Sequence, residues 1–459
     1  MQAPTTQPSA EVPAQVQTPT MPLAITAALD RLGTWLWPAA GRLPAPVKAR
    51  AQRLWLDTAS CAWAGLQADE PARWLAVQAQ TDGGAIGLPG SRVRLGASAA
   101  ATTLALAACW DEACEGLAVA HGRPGVPVVA ALWTQLAALQ PDWQRLWQAT
   151  AVGYEIAARL GAQLRIQPGL HVDGMWGAFG AAAAIVHLRG GSWAQAMAAI
   201  EACAVQLPFS LYRPVRQGAN VRNLYLGHSA WLGLQAAQAV AAGLATPHGA
   251  VDDFAALALK TPGHWPEPGQ WLILDSYWKP FAAVRHVHYG AQAAHQWLAQ
   301  GGRLQVPGDA RAIEALQLQV YPEALHYCPN RDPQTVLAAQ FSLSFGVAAM
   351  LRFGDLSPAE FRPPRFTDAG LRRLEALIDI TADAAAFPDG QRGARLSVLS
   401  GGSWHQVAQG AVTGDAHLQP DDDAVQAKFT RFTQNDPAMA RWAYHVRNDA
   451  PQAPACLPC

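Results

Sequence analysis

Four polar stretches interrupt otherwise apolar segments, and their side chains are of the kinds that move protons and hold carboxylates. ACWDEACEGLAVAHGRPGVPVV (residues 108–129) sets Asp111, Glu112 and Glu115 after an alanine run and before a Gly-Pro turn. GLHVDGMWGAFGAAAA (169–184) places His171 and Asp173 at the mouth of an alanine-rich helix. RQGANVRNLYLGHSAW (216–231) leads Arg222 and His228 into an apolar helix, and DSYWKPFAAVRHVHYGAQAAH (275–295) embeds Lys279, Arg285 and His288 among aromatics. Each has a structural reading: a solvated helix end, a capping or core histidine, an arginine meeting water or a carboxylate, a salt bridge at a domain joint for Lys279 and Arg285. Together they are cations and imidazoles on apolar segments. A buried charge is costly unless paired. An anionic ligand would supply the partner, because arginine grips a carboxylate through two parallel bonds.

Other chemistries lack their signatures. The chain has no glycine-rich phosphate loop, no G-x-S-x-G and no H-E-x-x-H. His286, His288 and His295 stand without a nearby carboxylate or cysteine, so no metal site is expected. The seven cysteines are odd in number and show no zinc spacing. Side chains alone are expected to do the work, with no cofactor. A formal net charge of -1 argues against nucleic acid or an anionic membrane as partner.

The elements that must position these groups fall into two textures. Hydrophobic residues make up 51% of the 459 and charged residues 15%, enough for a large core. No apolar run reaches the roughly 20 residues of a membrane span. Helices are predicted over 97–109, 126–139, 146–164, 178–188, 193–207 and 228–244, in segments rich in Ala, Leu and Gln. After the Pro/Gly-rich joint TPGHWPEPGQ (261–270), strands are predicted at 316–321, 378–382, 394–399 and 403–411. Helices at 335–353 and 369–377 lie between them. PDDDAVQAKFTRFT then starts a helix, with acidic residues in its first turn.

The expectation is therefore a mainly α protein with an α+β second domain: a disordered tail (1–20), a large helical domain (21–265), a smaller α+β lid (266–415), a helix returning to the helical domain (416–448) and a disordered tail (449–459). The start lacks a secretory signal, which points to the cytoplasm. The near-absence of lysine, found only at Lys48, Lys260, Lys279 and Lys428, suggests a GC-rich bacterial genome. The final CLPC is read as a frayed end with two thiols rather than a prenylation box.

G-L-H-x-D-G-x-W-G-x-F-G-A-A-A-A, V-R-N-L-Y-x-G-H, Y-W-K-P-F…R-x-x-H and A-x-F-S-L-x-F occur in that order. This series resembles the MmgE/PrpD family, which includes 2-methylcitrate dehydratase, cis-aconitate decarboxylase and iminodisuccinate epimerase. The resemblance spans about residues 25 to 445. It implies a helical domain, a lid, a substrate cleft between them, a homodimer, and cofactor-free chemistry on small di- or tricarboxylates. It implies His171 and Lys279 as proton carriers, with Asp111 or Asp173 orienting His171 or acting as base. Arg123, Arg222, Arg285, His288 and Glu112 would bind substrate. The chain departs from the pattern at Cys109, where an acid is expected, and at Arg123, where the family has histidine. Gln340 stands for a lysine and Phe345 for a proton-handling tyrosine. The implied function is a lyase, either dehydratase or decarboxylase. The alternatives are an isomerase or epimerase on a similar acid, or a degenerate member that only binds carboxylates.

Overall fold

The computed structural model describes residues 24–301, 313–388 and 390–450. The tail expected at 1–20 and the CLPC end lie outside them. The centre of the larger part is the alanine-rich helix Gly177–Leu188, packed against Gly125–Trp133, Trp143–Gln163, Trp193–Ala204 and Leu224–Ala241. Its residues are buried on every face but one: the half-buried His187 is the exception. A helix surrounded in this way needs small side chains. A Cβ on Gly180 would lie 2.3 Å from the Gly153 carbonyl oxygen, and one on Gly233 would lie 2.8 Å from that of Ala178. Alanine and glycine thus set the interhelical distance, and bulk comes from elsewhere. Trp55 stacks on Trp133 and Trp143 on Trp147, with centroids 5.8 and 5.2 Å apart.

The Pro/Gly joint is fixed in place. Leu259–Pro262 pairs antiparallel with Leu164–Ile166. Beyond it the buried Arg159 donates to the carbonyls of Pro266, Glu267 and Gln270 at 3.2, 3.3 and 2.8 Å and pairs with Glu155. Glu155 in turn accepts from the Ile273 N–H at 2.9 Å.

The smaller part is built on a four-stranded sheet in the order Ile378–Ala382, Ile313–Val320, Ala394–Ser400, Ser403–Gln409. The first pair is parallel and the others antiparallel. Ile313, Leu316, Leu318 and Val320 are buried, as are Ala394, Leu396 and Val398. The alternation along 394–398 is the two-residue period of a sheet covered on one face. Helix Arg285–Ala299 lies across the last two strands and against Leu343–Phe353. Helices Asp422–Phe432 and Pro437–Asn448 return to pack on Ala45–Leu66.

Two predicted helices are broken. The stretch 335–353 divides into Val336–Gln340 and Leu343–Phe353, because the Ser342 hydroxyl accepts from the Phe345 N–H at 3.1 Å and caps a new start. The stretch 126–139 breaks after Trp133, and a short turn Leu136–Leu139 follows. Residues 449 and 450, placed in the expected tail, are bound. The Trp147 indole donates to Asp449 and the Trp143 indole to the Ala450 carbonyl, both at 2.8 Å. No described helix is long and apolar enough to cross a membrane.

Candidate active site

Glu112 is the hub of a buried ionic cluster. Its backbone occupies the left-handed region, at φ 52°, where helix Ala97–Trp110 has ended and the chain turns sharply. That conformation is uncommon for a residue with a side chain and tends to persist where surrounding contacts enforce it. Here they do. Lys279 donates to the Glu112 carbonyl at 2.6 Å, and Lys428 donates to the Ala113 carbonyl at 2.7 Å. Gly116 exchanges backbone hydrogen bonds with Tyr277. A Cβ on Gly116 would sit 2.2 Å from the Tyr277 hydroxyl oxygen, so glycine leaves room for the Tyr277 ring, two residues before Lys279.

The Glu112 carboxylate meets Arg123 through both oxygens at 3.0 Å, Arg222 through Oε1, and Lys279 at 3.4 Å. The same two guanidinium groups hold Asp173: Arg123 through Nη2, and Arg222 at 3.3 Å. His171 Nδ1 accepts from the Asp173 N–H at 3.0 Å, and its ring stacks on Tyr212 with centroids 5.6 Å apart. His171 is positioned by a bond from its own N–H to the Ser210 carbonyl at 2.7 Å. The most exposed member of the cluster, His171, is 8% accessible.

Charges this close decide protonation. Burial pushes the Glu112 carboxyl up, but Arg123, Arg222 and Lys279 together outweigh it and leave it well below the usual range. Asp173 is likewise lowered: burial opposes, and Arg123 leads the groups that prevail. Burial lowers His171 to about 4, so the ring is neutral at pH 7. With Nδ1 accepting a backbone bond, the proton of that neutral ring belongs on Nε2. Burial also lowers Lys279, against the pull of Glu112.

Six of the nine residues proposed from sequence thus come together: Glu112, Arg123, His171, Asp173, Arg222 and Lys279. Three do not. Asp111 faces the other way and pairs with Arg362 at 3.0 Å. Arg285 pairs with Asp415, donates to the Trp278 and Val412 carbonyls at 3.3 Å, and lies over the Tyr277 ring. His288 is bonded through Nε2 to the Ala283 carbonyl at 2.9 Å. The cations of the cluster are not left bare for a ligand; the chain's own carboxylates already neutralise much of their charge.

The smaller part of the molecule closes over this cluster. Arg222 lies 5.8 Å from the Phe341 ring centroid, and buried Gln340 donates to the Trp110 carbonyl at 3.1 Å. Phe345 is fully buried against Phe361 and Phe366, with Arg372 over its ring. It is a core residue of the smaller part. Tyr212 and Tyr327 meet edge to face across the join.

Sequence reasoning noted Cys109 only as the replacement of a family acid and passed over Cys114; both lie in the neighbourhood. Arg222 Nη1 lies 3.0 Å from Cys109 Sγ, and Arg123 Nη1 lies 3.8 Å from Cys114 Sγ. The available signal was their position, flanking Asp111 and Glu112 within one acidic motif.

The MmgE/PrpD N-terminal domain matches residues 39–258, and the MmgE/PrpD C-terminal domain matches residues 281–440. A search of the curated proteins finds no match. The chain belongs to the MmgE/PrpD family, whose members are generally lyases or related enzymes.

Proposed function

We propose that this MmgE/PrpD protein is a cofactor-independent lyase, of dehydratase or decarboxylase type, acting on a small di- or tricarboxylate by proton transfer beside a carboxylate. The observation that carries the reading is the convergence of Arg123, His171, Arg222 and Lys279, from four separate stretches, on Glu112 and Asp173 at the join of the two parts. A proton beside a carboxylate leaves only if the resulting enolate is stabilised, and preorganised donors in a dry site do this best. In this scheme a substrate carboxylate competes with Glu112 and Asp173 for the guanidinium groups. Those two acids hold the arginines in place meanwhile, which removes the cost of ordering them during reaction. Neutral His171 offers its Nε2 proton to the developing negative charge, and Lys279 adds a positive charge beside it.

The test is a panel of citrate-, aconitate- and methylcitrate-type acids. Turnover is expected, unaffected by chelator and abolished in Lys279→Ala. Absence of turnover on every acid, with the same acids failing to raise the melting temperature, would falsify the reading. An epimerase is the second reading. It is favoured by Phe345, which leaves one proton carrier fewer than a two-step elimination uses. Exchange of a substrate α-proton with deuterated water, without net product, would select it.

A further inference from the structure

Two lysines hold successive carbonyls of one turn. Lys279 donates to the Glu112 carbonyl at 2.6 Å, and Lys428 donates to the Ala113 carbonyl at 2.7 Å. Each is 2% exposed, in a chain where four of the 33 basic residues are lysine. Of the other two, Lys48 is half-buried and Lys260 exposed. An ammonium gathers three donors on one atom, and each of the buried pair bonds a carbonyl oxygen and a carboxylate oxygen together. For Lys279 the carboxylate is that of Glu112 itself. For Lys428 it is Asp57, at 2.5 Å, on helix Ala45–Leu66 and outside the cluster.

Lys428 also reaches the segment that carries Lys279. Its Nζ lies 5.0 Å from the Trp278 ring centroid and 5.1 Å from that of Phe432. Trp278 precedes Lys279 and is anchored by a bond from its N–H to the Gly414 carbonyl at 2.8 Å. One side chain on helix Asp422–Phe432 thus touches both pieces that must be in register for Lys279 to meet Glu112. A buried ion pair adds little net stability of its own. This pair also leaves Asp57 Oδ2 buried without a hydrogen-bond partner, which stability alone would not favour.

We propose that Lys428 is a positioning residue of the active site; its kinetic consequence rests on the reading of the cluster as that site. The two lysines fix the peptide planes that follow Glu112 and Ala113. Those planes keep Glu112 in the left-handed region, at φ 52°, with its carboxylate turned to Arg123 and Arg222. Without Lys428 the second plane is free, and Glu112 relaxes to a commoner conformation that takes its carbonyl from Lys279 and its carboxylate from the arginines. Lys428 itself touches no substrate and carries no proton in the reaction.

The test separates position from stability with three variants of the full chain. Asp57→Asn leaves the Lys428 charge without its carboxylate, so the melting temperature falls. The bond to Ala113 remains, and turnover per folded molecule stays near the native value. Lys428→Met strands the Asp57 carboxylate and lowers both. The double variant Asp57→Asn, Lys428→Met removes both charges and recovers most of the melting temperature. Its kcat nevertheless stays down by about 10²-fold, the cost of a small misplacement at a reacting centre. KM changes little, because the loss falls on the transition state. A crystal structure of the double variant should show Glu112 out of the left-handed region and Lys279 away from its carbonyl. Native kcat in the double variant overturns the proposal, as does a loss of turnover in Asp57→Asn equal to that of the double. So does a double variant that melts no higher than Lys428→Met, since the pair is then structural. If the native chain turns over no acid, the lyase reading fails. The crystal structure still decides the positioning: an unchanged φ of Glu112 and an unchanged Lys279 contact overturn it.

Discussion

Two buried arginines on the helical side show how the same side chain serves two ends. Arg159 has Nε, Nη1 and Nη2 all engaged, by three carbonyls and one carboxylate. Its partners sit on a Pro/Gly joint that would otherwise have no regular structure to hold it. Arg222 shares two carboxylates with a second arginine, touches a thiol and an aromatic face, and leaves Nε unmet. In the first arrangement every guanidinium nitrogen is engaged by the chain itself. The second is crowded with charge but incomplete, and its central residue has an uncommon backbone conformation. Burial and pairing alone do not separate a structural ion pair from a working one, and neither does an open donor, since Arg285 also leaves Nε unmet beside Asp415; what sets Arg222 apart is that it and Arg123 share the same two carboxylates.

The sharpest way to break this contrast is at Arg159. Arg159→Met leaves the Glu155 carboxylate buried without its partner, and stability should fall by about 3–5 kcal/mol, read from the urea midpoint. Carboxylate binding by the protein that stays folded should be unchanged. Arg222→Met should behave the other way: turnover on the responsive acid falls by about 10²–10³, the usual cost of one preorganised donor. The two-arginine grip on Glu112 and Asp173 limits the stability loss to less than that of Arg159→Met. If Arg222→Met unfolds the chain as readily as Arg159→Met, the distinction fails. His171→Asn is expected to reduce turnover by about tenfold to 10³ with little change in melting temperature, because the ring is neutral at pH 7 and has no ion pair to lose.

The smallest effect concerns pH, and it sharpens the contrast from beneath the cluster. Burial raises Glu115 to about 8, with Cys114 adding to the shift and the Gly125 N–H opposing it. The folded chain therefore holds that proton more tightly than the unfolded chain. Stability from this group is complete below its unfolded value of about 4.5 and is lost as pH rises toward 8. Glu112 has the opposite sign: its contribution is present above about 4.5 and is lost only in stronger acid. Glu115→Gln should flatten the fall in melting temperature between pH 5 and 8 and leave the acid limb alone.

Much of the architecture was legible. Strands 378–382 and 394–399 alternate and end at turn residues, and the alanine-rich helices announce close packing, as Gly153 against Gly180 bears out. Interruptions were not legible where one side chain decides: a serine cap at Ser342 ends a helix that composition alone would continue. In the site, His171, Arg222 and Lys279 were recognisable because their motifs place them. Arg285 belongs to the same motif as Lys279, yet its partner, Asp415, lies 130 positions away and carries no motif. The partner of Asp111, Arg362, is 251 positions away. Long-range pairing of this kind converts a candidate ligand-binding residue into a structural one, and composition does not reveal it. The cysteines were weighed for zinc and disulfides, and Cys109 as the replacement of an acid; neither reading placed Cys109 and Cys114 beside the arginines.

The bonds from Trp143 and Trp147 to the last two described residues bear on how the chain can be trimmed or extended. Asp449 also receives Gln52 at 3.1 Å and pairs with Lys48, so a single carboxylate ties together two helices far apart in the chain. Shortening to residue 448 would uncover two indole N–H groups and release Lys48. An affinity handle is therefore better appended beyond residue 450 than substituted for the final turn.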